Sequence, residues 1–194
     1  MNKVSNIVQS ELTASLIAAA KGGSNYAFTR LVRLHQSSVR AFLRRLAGGD
    51  AALADDMAQE VFMKAYLKIR SFSGEGTFGG WLYRIAYRYF LDDYRKKKRR
   101  QNLSDIGGTT ANIIQISPVF DLKLDLERAL AGLKLEERTA ITLCLSEGLS
   151  HTEAADIMDM PLGSVKSHIV RGREKLKITL KIWQGEQTSY DQYP

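Results

Sequence analysis

The residues best suited to chemistry lie in one stretch that begins at Trp81 and ends at Arg100, WLYRIAYRYFLDDYRKKKRR. Aromatic rings are interleaved with arginines in its first half, and the six residues from Arg95 onward are all cationic. Flat rings can stack on unpaired bases, and a basic run neutralises phosphates. The pattern predicts a helix that holds a DNA strand while the duplex is being opened.

A group of neighbouring carboxylates raises the alternative of acid–base catalysis. Asp55, Asp56 and Glu60 lie close together, but no histidine or nucleophile has a spacing that would complete a catalytic site around them. Carboxylates near a helix start commonly favour the helix dipole. Cys144 is the only cysteine, and the three histidines show no ligand spacing. We therefore expect no disulfide, no metal, no cofactor and no enzymatic activity.

The bulk composition limits the class of protein. A chain of 194 residues with 44% hydrophobic side chains can bury the core of one ordinary domain or of two small ones. Its net charge of +7 favours an anionic partner such as nucleic acid. No apolar run approaches the ~18 residues of a membrane-spanning helix, so we expect no membrane insertion and a cytoplasmic location.

Helical spacing of apolar residues dominates the elements that would position these side chains. One amphipathic helix ends at the glycine pair before Asp50, which caps a second helix that runs to about Ile69. Residues 72–80 are glycine-rich and predict a loop ahead of the aromatic and basic helix. Residues 101–121 lack lysine, arginine and sustained periodicity. They predict a flexible linker between two small all-α domains.

The second domain contains the pattern of a DNA-reading helix-turn-helix. Ser150 and Glu153 form a capping box that opens a short helix, and Pro161 falls in the turn before the next. That next helix should turn inward Val165, Ile169, Gly172, Leu176 and Leu180. Its outward face carries Ser164, Lys166, Ser167, Val170, Arg171, Arg173 and Lys177. Such a face could be a merely solvated one, but the capping box and the proline turn favour contacts with DNA.

Four segments, taken in order, resemble the extracytoplasmic-function (ECF) group of bacterial sigma factors in the sigma-70 family. They are AAAKGGSNYAFTRLVRLHQSSV, ALADDMAQEVFMKAYLKI, FSGEGTFGGWLYRIA and EGLSHTEAADIMDMPLGSVKSHIVRGREKL. The resemblance covers about residues 14–182. It implies sigma region 2 over 14–100, a linker over 101–121 and sigma region 4 over 122–182.

The resemblance also implies partners and site residues. The protein would bind core RNA polymerase and promoter DNA, would be regulated by an anti-sigma factor, and would serve transcription initiation in a stress response. Polymerase would be bound by Asp55, Asp56, Gln59, Glu60, Phe62 and Tyr66. The minus-ten element would be held by Gly74, Thr77, Phe78, Trp81, Tyr83, Arg84, Tyr87, Arg88, Arg95 and Lys96. The minus-thirty-five element would be read by Ser164, Lys166, Ser167, Arg171 and Arg173.

The sequence departs from the family pattern in two places. Gly79 and Gly80 stand where relatives usually carry a polar or basic residue, and Arg88 stands where they often carry asparagine. Both places lie near the predicted strand-binding surface. They indicate either an altered minus-ten preference or a less constrained loop.

Three other functions compete with promoter recognition. A decoy that sequesters an anti-sigma factor would not need the basic run, nor the exposed Lys166 and Arg171. A stand-alone helix-turn-helix regulator would leave residues 24–100 without a role. An enzyme is the least favoured class, because the sequence contains no convergent catalytic set.

Overall fold

The computed structural model describes residues 3–104 and 122–190, with side chains described over 11–100 and 126–180. All regular structure within these residues is helical, which confirms the predicted all-α class. The first domain holds α1 Lys3–Lys21, α2 Asn25–Leu46, α3 Ala51–Lys68 and α4 Phe78–Ser104. The second holds α5 Leu122–Ala131, α6 Leu135–Ile141, α7 His151–Met158 and α8 Leu162–Tyr190.

The turn between α2 and α3 forms where the sequence predicts it. Gly48 and Gly49 adopt φ values of 71° and 99°, which residues with a Cβ disfavour. An Asp50 carboxylate oxygen then accepts a hydrogen bond from the Leu53 N–H at 2.9 Å. This bond satisfies a donor that has no partner within its own helix, so α3 starts there and folds back along α2.

The core of the first domain lies where α2, α3 and α4 pack together. Its fully buried large side chains include Leu31, Val39, Phe42, Leu43, Leu46, Val61 and Leu82. The residues from α2 recur at steps of three and four along one face, as the apolar spacing predicts. The core therefore holds α3 and α4 side by side, and this pair carries most of the predicted site residues.

The helix α4 begins earlier than its glycine content predicts. The sequence indicates a loop over 72–80, whereas the helix starts at Phe78. Thr77 explains the difference, because its hydroxyl accepts a hydrogen bond from the Gly80 N–H at 3.0 Å and so caps the first turn. The loop proper is thus shortened to 72–77.

The second domain contains the predicted helix-turn-helix. The Ser150 hydroxyl accepts a hydrogen bond from the Glu153 N–H at 3.2 Å, and the Glu153 carboxylate accepts one from the Ser150 N–H at 2.9 Å. Asp159 ends α7 in the left-handed conformation with φ 54°, and Pro161 immediately precedes α8. Val165 of α8 is fully buried, as predicted for the inward face of this helix.

The two domains lie against each other in what we call the closed arrangement. Helix α7 packs on α4, while α5 and α6 pack on α2. Helix α4 extends to Ser104, four residues into the stretch predicted as a linker. The remainder of that prediction, 105–121, lies outside the described residues.

Gly172 sets the distance between α8 and α6. A Cβ at this position would lie 2.5 Å from Cδ1 of Ile141 and 3.3 Å from Cβ of Glu137. Gly172→Ala should therefore lower the free energy of unfolding by ~1–3 kcal/mol through overpacking, despite the better helix propensity of alanine. Ile141→Val removes the clashing Cδ1, so the double variant should be more stable than Gly172→Ala alone. Thermal unfolding followed by circular dichroism measures both effects, and a single variant as stable as the parent would contradict the argument.

Candidate nucleic-acid and polymerase interfaces

A cleft of about 440 Å³ runs between α3 and α4, and we call it the strand groove. Its lining includes five cations and two aromatic rings: Lys64, Lys68, Arg84, Arg88, Lys96, Trp81 and Tyr89. Asp92 and Asp93 also line it, so the groove is predominantly but not wholly basic. Aromatic rings beside cations are the combination that binds single-stranded nucleic acid.

Two lysines of α3, Lys64 and Lys68, also line the strand groove, although they are not among the residues predicted to bind DNA. Lys64 places its Nζ 5.4 Å from the centroid of the Tyr89 ring, a cation–π distance. Its spacing of four residues from Lys68 puts both on one face of α3, and that spacing was the available sequence signal. Burial first, and then the negative charges of Glu60 and nearby aspartates including Asp56, raise the pKa of Tyr89. The predicted docking carboxylates therefore lie close to the strand groove.

The aromatic side chains of α4 divide between two faces of the helix. Trp81 and Tyr89 are half-buried at the strand groove, whereas Tyr83 and Tyr87 are buried on the side that faces the second domain. Burial, and then the negative charge of Glu136 from α6, raise the pKa of Tyr87 to about 12. In the closed arrangement these two tyrosines do not line the groove.

The loop before α4 borders a second cavity, of about 680 Å³, which separates it from α1. Gly74, Thr77 and Phe78 of the predicted minus-ten set line this cavity. Phe72 lies beneath them, with its ring centroid 5.5 Å from that of Phe78. Burial lowers the pKa of His35 in the cavity wall, so its imidazole is neutral near pH 7. Lys21 is the one cation in the lining, and its Nζ lies 5.6 Å from the centroid of the Phe72 ring. A largely apolar, aromatic-lined cavity of this kind suits a flat group such as an extruded base.

Four of the residues predicted to bind polymerase form a polar strip along α3. Asp55, Asp56 and Gln59 are exposed, and Glu60 is partly buried. Arg40 of α2 pairs with Asp55, with 3.3 Å between Nε and Oδ1, and both side chains are about half-exposed. Such a surface ion pair contributes about 1 kcal/mol or less, so it can be exchanged for contacts with a partner.

The two aromatic residues of the same prediction are engaged within the first domain. Phe62 is half-buried and packs against the core. Tyr66 packs edge-on against Phe28, with ring centroids 5.1 Å apart, and its hydroxyl donates a hydrogen bond to Oδ1 of Asn25 at 2.8 Å. Tyr66 thus fastens α3 to α2 and still leaves 46% of its surface exposed to a partner.

The residues predicted to read the minus-thirty-five element lie together on α8. Lys166, Ser167, Arg171 and Arg173 are exposed, and Ser164 is half-buried near the helix start. The hydroxyl of Ser167 donates a hydrogen bond to a carbonyl of its own helix at 2.9 Å. The cations are the members of this set whose length and charge suit contacts with guanine edges and phosphates.

A buried glutamate of α6 contacts one member of this set, Arg171, and no local sequence pattern indicates that contact. Glu137 is only 2% exposed, and its two oxygens accept hydrogen bonds from Nζ of Lys175 at 2.9 and 2.8 Å. The Nε of Arg171 lies 3.9 Å from the same carboxylate, and its Nη2 lies 3.2 Å from Nδ1 of His168. Arg171 is therefore held on the side of α8 that faces α6.

The basic run extends along the far part of α4. Its residues from Arg95 to Arg100 are exposed, and Lys97 pairs with Asp93 at 3.1 Å, one turn away. Among the described residues, no cluster of histidine, cysteine and acidic side chains could hold a metal ion. The part of the chain that the structure describes also contains no helix long and apolar enough to cross a membrane.

The structure combines a helix-turn-helix domain with a helical domain that carries a basic, aromatic strand groove. This combination is typical of a transcription factor that binds DNA. Family models confirm and narrow this class: sigma-70 region 2 matches residues 31–100, and sigma-70 region 4 matches residues 123–176. The chain belongs to the sigma-70 family, in its ECF group.

Individual relatives agree with the family models. The chain is 35% identical over 176 residues to the ECF RNA polymerase sigma-E factor of Haemophilus influenzae, covering 84% of this chain and 92% of that protein. It is 33% identical to the ECF RNA polymerase sigma factor SigE of Mycolicibacterium smegmatis, covering 85% of this chain and 66% of that longer protein.

A solved structure gives the same result for the fold. The sigma factor RpoE from Bartonella quintana, crystallised with the anti-sigma factor NepR, superposes with a TM-score of 0.69 at 31% identity. The match covers 80% of this chain and 97% of that one. These likenesses confirm the predicted family, and the protein is a sigma factor for promoter recognition in transcription initiation.

Proposed function

We propose that this sigma factor docks on core RNA polymerase through the polar strip of α3 and holds the opened minus-ten strand in the strand groove. The observation that carries this proposal is the shared position of both surfaces on the α3–α4 pair. Polymerase bound at Asp56 and Gln59 would deliver an unpaired strand to Trp81 and Arg88 without further movement of the first domain. The first domain, proposed over 14–100, then acts as one rigid platform.

The minus-ten element would be held by two kinds of contact. The cavity beside Gly74, Thr77 and Phe78 would take an extruded base, and its aromatic walls would offset the few kcal/mol that extrusion costs. The cations of the strand groove and the exposed run from Arg95 would bind phosphates, which adds affinity but no sequence information. Tyr83 and Tyr87 would reach DNA only when the second domain moves away from them.

The minus-thirty-five element would be read by α8 of the second domain, proposed over 122–182. Lys166, Arg171 and Arg173 can bind guanine O6 and N7 in the major groove, while Ser164 and Ser167 suit bases or phosphates. The buried Glu137 would fix the direction in which Arg171 approaches the duplex. Residues 101–121 would then set the distance between the two elements.

The proposals on regulation and cellular location rest on the family and not on single contacts in the structure. We propose that an anti-sigma factor restrains this protein, as NepR is bound to the Bartonella quintana relative. We also propose that it works in the cytoplasm, in a stress response, and has no catalytic activity of its own. A sigma-like decoy remains the competing function, and it would bind an anti-sigma factor but not promoter DNA.

Transcription in vitro tests the proposal directly. The purified chain added to core polymerase should give promoter-specific initiation on genomic fragments, and a lack of specific initiation would contradict it.

Single substitutions test the two proposed interfaces separately. Gln59→Ala should weaken core binding about tenfold, the effect of losing a central interface contact. Lys166→Ala should weaken binding of upstream duplex by ~1–3 kcal/mol without affecting core binding. Arg30→Ala, an exposed cation of α2, serves as the control for charge.

A further inference from the structure

The contact between the two domains contains a defined set of polar interactions. Glu147, in the second domain, accepts a hydrogen bond from the Tyr83 hydroxyl and pairs with Nη1 of Arg45 at 3.1 Å. Its side chain is 11% exposed. A second pair joins Nη2 of Arg44 to Oε2 of Glu127 at 2.9 Å. Arginines of α2 thus face glutamates of the second domain at two adjacent points.

Partial burial makes these pairs stronger than ordinary surface ion pairs. Charges that are largely withdrawn from water are screened less by salt, and removing one partner leaves the other without compensation. Burial first, and then Glu147, raise the pKa of Tyr83, so its hydroxyl stays protonated and able to donate. Apolar residues of both domains also form one buried cluster at this contact. The Glu147 carboxylate is the group that bonds to two side chains of the first domain at once.

The closed arrangement is too short to span a promoter. By their names the two elements lie ~25 base pairs apart, or ~85 Å of B-form DNA at ~3.4 Å per base pair. A compact body of this chain length is only ~40 Å across. Since Arg45 and Glu147 are in direct contact, the domains must separate before both elements can be bound on straight DNA.

We propose that Glu147 is the latch that holds the protein closed. While its carboxylate is bonded to Tyr83 and Arg45, the second domain covers the face of α4 that carries Tyr83 and Tyr87. Release of Glu147 frees the domains to separate and exposes Tyr83 and Tyr87 to an unpaired strand. The use of this opening in promoter binding rests on the proposed function, whereas the latch itself is a property of the isolated chain.

Distance measurements on the full chain test the latch without DNA or polymerase. Nitroxide labels at Leu67→Cys and Ile178→Cys, whose parent side chains are 76% and 61% exposed, report domain separation in a Cys144→Ala background. Glu147→Gln should raise the ratio of open to closed molecules about tenfold, which corresponds to ~1.4 kcal/mol. Glu174→Gln makes the same charge change on the exposed side of α8 and should have no effect.

A charge swap gives the sharper version of the same experiment. Glu147→Arg should open the chain fully, because it faces Arg45 with a like charge. Adding Arg45→Glu should restore the closed distance. An unchanged distance in a folded Glu147→Arg chain, or a failure of the swap to restore closure, would overturn the latch.

Measuring the affinity for a single strand tests the proposed use of the latch separately from the latch itself. With the domains open, Glu147→Gln should bind a single-stranded minus-ten oligonucleotide more tightly than the parent, by up to the roughly tenfold factor of the opening, because the strand groove is available in both arrangements and only the contacts of Tyr83 and Tyr87 are gained. Opening without a gain in affinity would overturn the claim that the latch covers a DNA-binding face. The transcription assay judges the sigma function separately, since it uses the parent chain and core polymerase.

Discussion

Replacing Lys175 with methionine is expected to cost the second domain about 3–5 kcal/mol of folding free energy, the range for breaking a buried ion pair. Lys175 itself is 46% exposed, but its partner Glu137 is almost fully buried. Without the lysine, Glu137 keeps only the Lys134 N–H at 3.3 Å and the more distant Arg171 at 3.9 Å. Neither can replace the hydration that the carboxylate loses on burial.

Replacing the glutamate of this pair should cost less folding free energy than replacing the lysine. Glu137→Gln removes the buried charge and leaves Lys175 within reach of water, so we expect a loss of only ~1–2 kcal/mol. Combining Glu137→Gln with Lys175→Met should recover stability relative to Lys175→Met alone. Hydrogen exchange of α6 and α8 amides in the full chain measures the stability of this domain. Lys177→Met, an exposed lysine of the same helix, is the control, and an equal cost for both lysines would contradict the argument.

The same pair should make the second domain sensitive to acid. Burial alone would raise the pKa of Glu137, but hydrogen bonds and charges from Lys175 and Lys134 bring it below the ordinary value of 4.5. A carboxyl whose pKa is lower in the folded state stabilises it fully above pH ~4.5, and the contribution disappears as the pH falls through the folded value. This part of the acid dependence should be missing from Glu137→Gln.

Features that depend on neighbours in sequence could be predicted from the sequence. Asp50 caps α3, and Ser150 with Glu153 caps α7, because each bond joins groups three residues apart. The inward position of Gly172 follows from the helical period alone. The helix-turn-helix was therefore predictable in outline before any contact was known.

Features that depend on distant partners could not be predicted in the same way. Glu137 and Lys175 are 38 residues apart, and Glu147 and Arg45 are 102 apart, so no local pattern joins them. The helical period does separate Tyr83 and Tyr87 from Trp81 on α4. The helical period does not predict which face of α4 the second domain covers. The covered face determines which aromatic rings are accessible to DNA.

Replacing Lys68 and Arg88 together with glutamine should show whether the strand groove is the path of the unpaired strand. Each phosphate contact with a single strand contributes ~0.7 to the slope of log affinity against log salt concentration, so losing two should reduce the slope by ~1.4. Affinity for a minus-ten oligonucleotide at low salt should fall about tenfold, and equally for other sequences, because phosphates carry no sequence information.

A matched control distinguishes this local effect from net charge. Arg30→Gln with Arg33→Gln also removes two positive charges, but from exposed positions of α2 outside the strand groove. Fluorescence titrations over a series of salt concentrations should leave the slope of this control close to that of the parent. An equal fall in both double variants would mean that the strand responds to overall charge and does not follow the groove. A fall confined to Lys68 and Arg88 would place the strand between α3 and α4, next to the carboxylates proposed to bind polymerase.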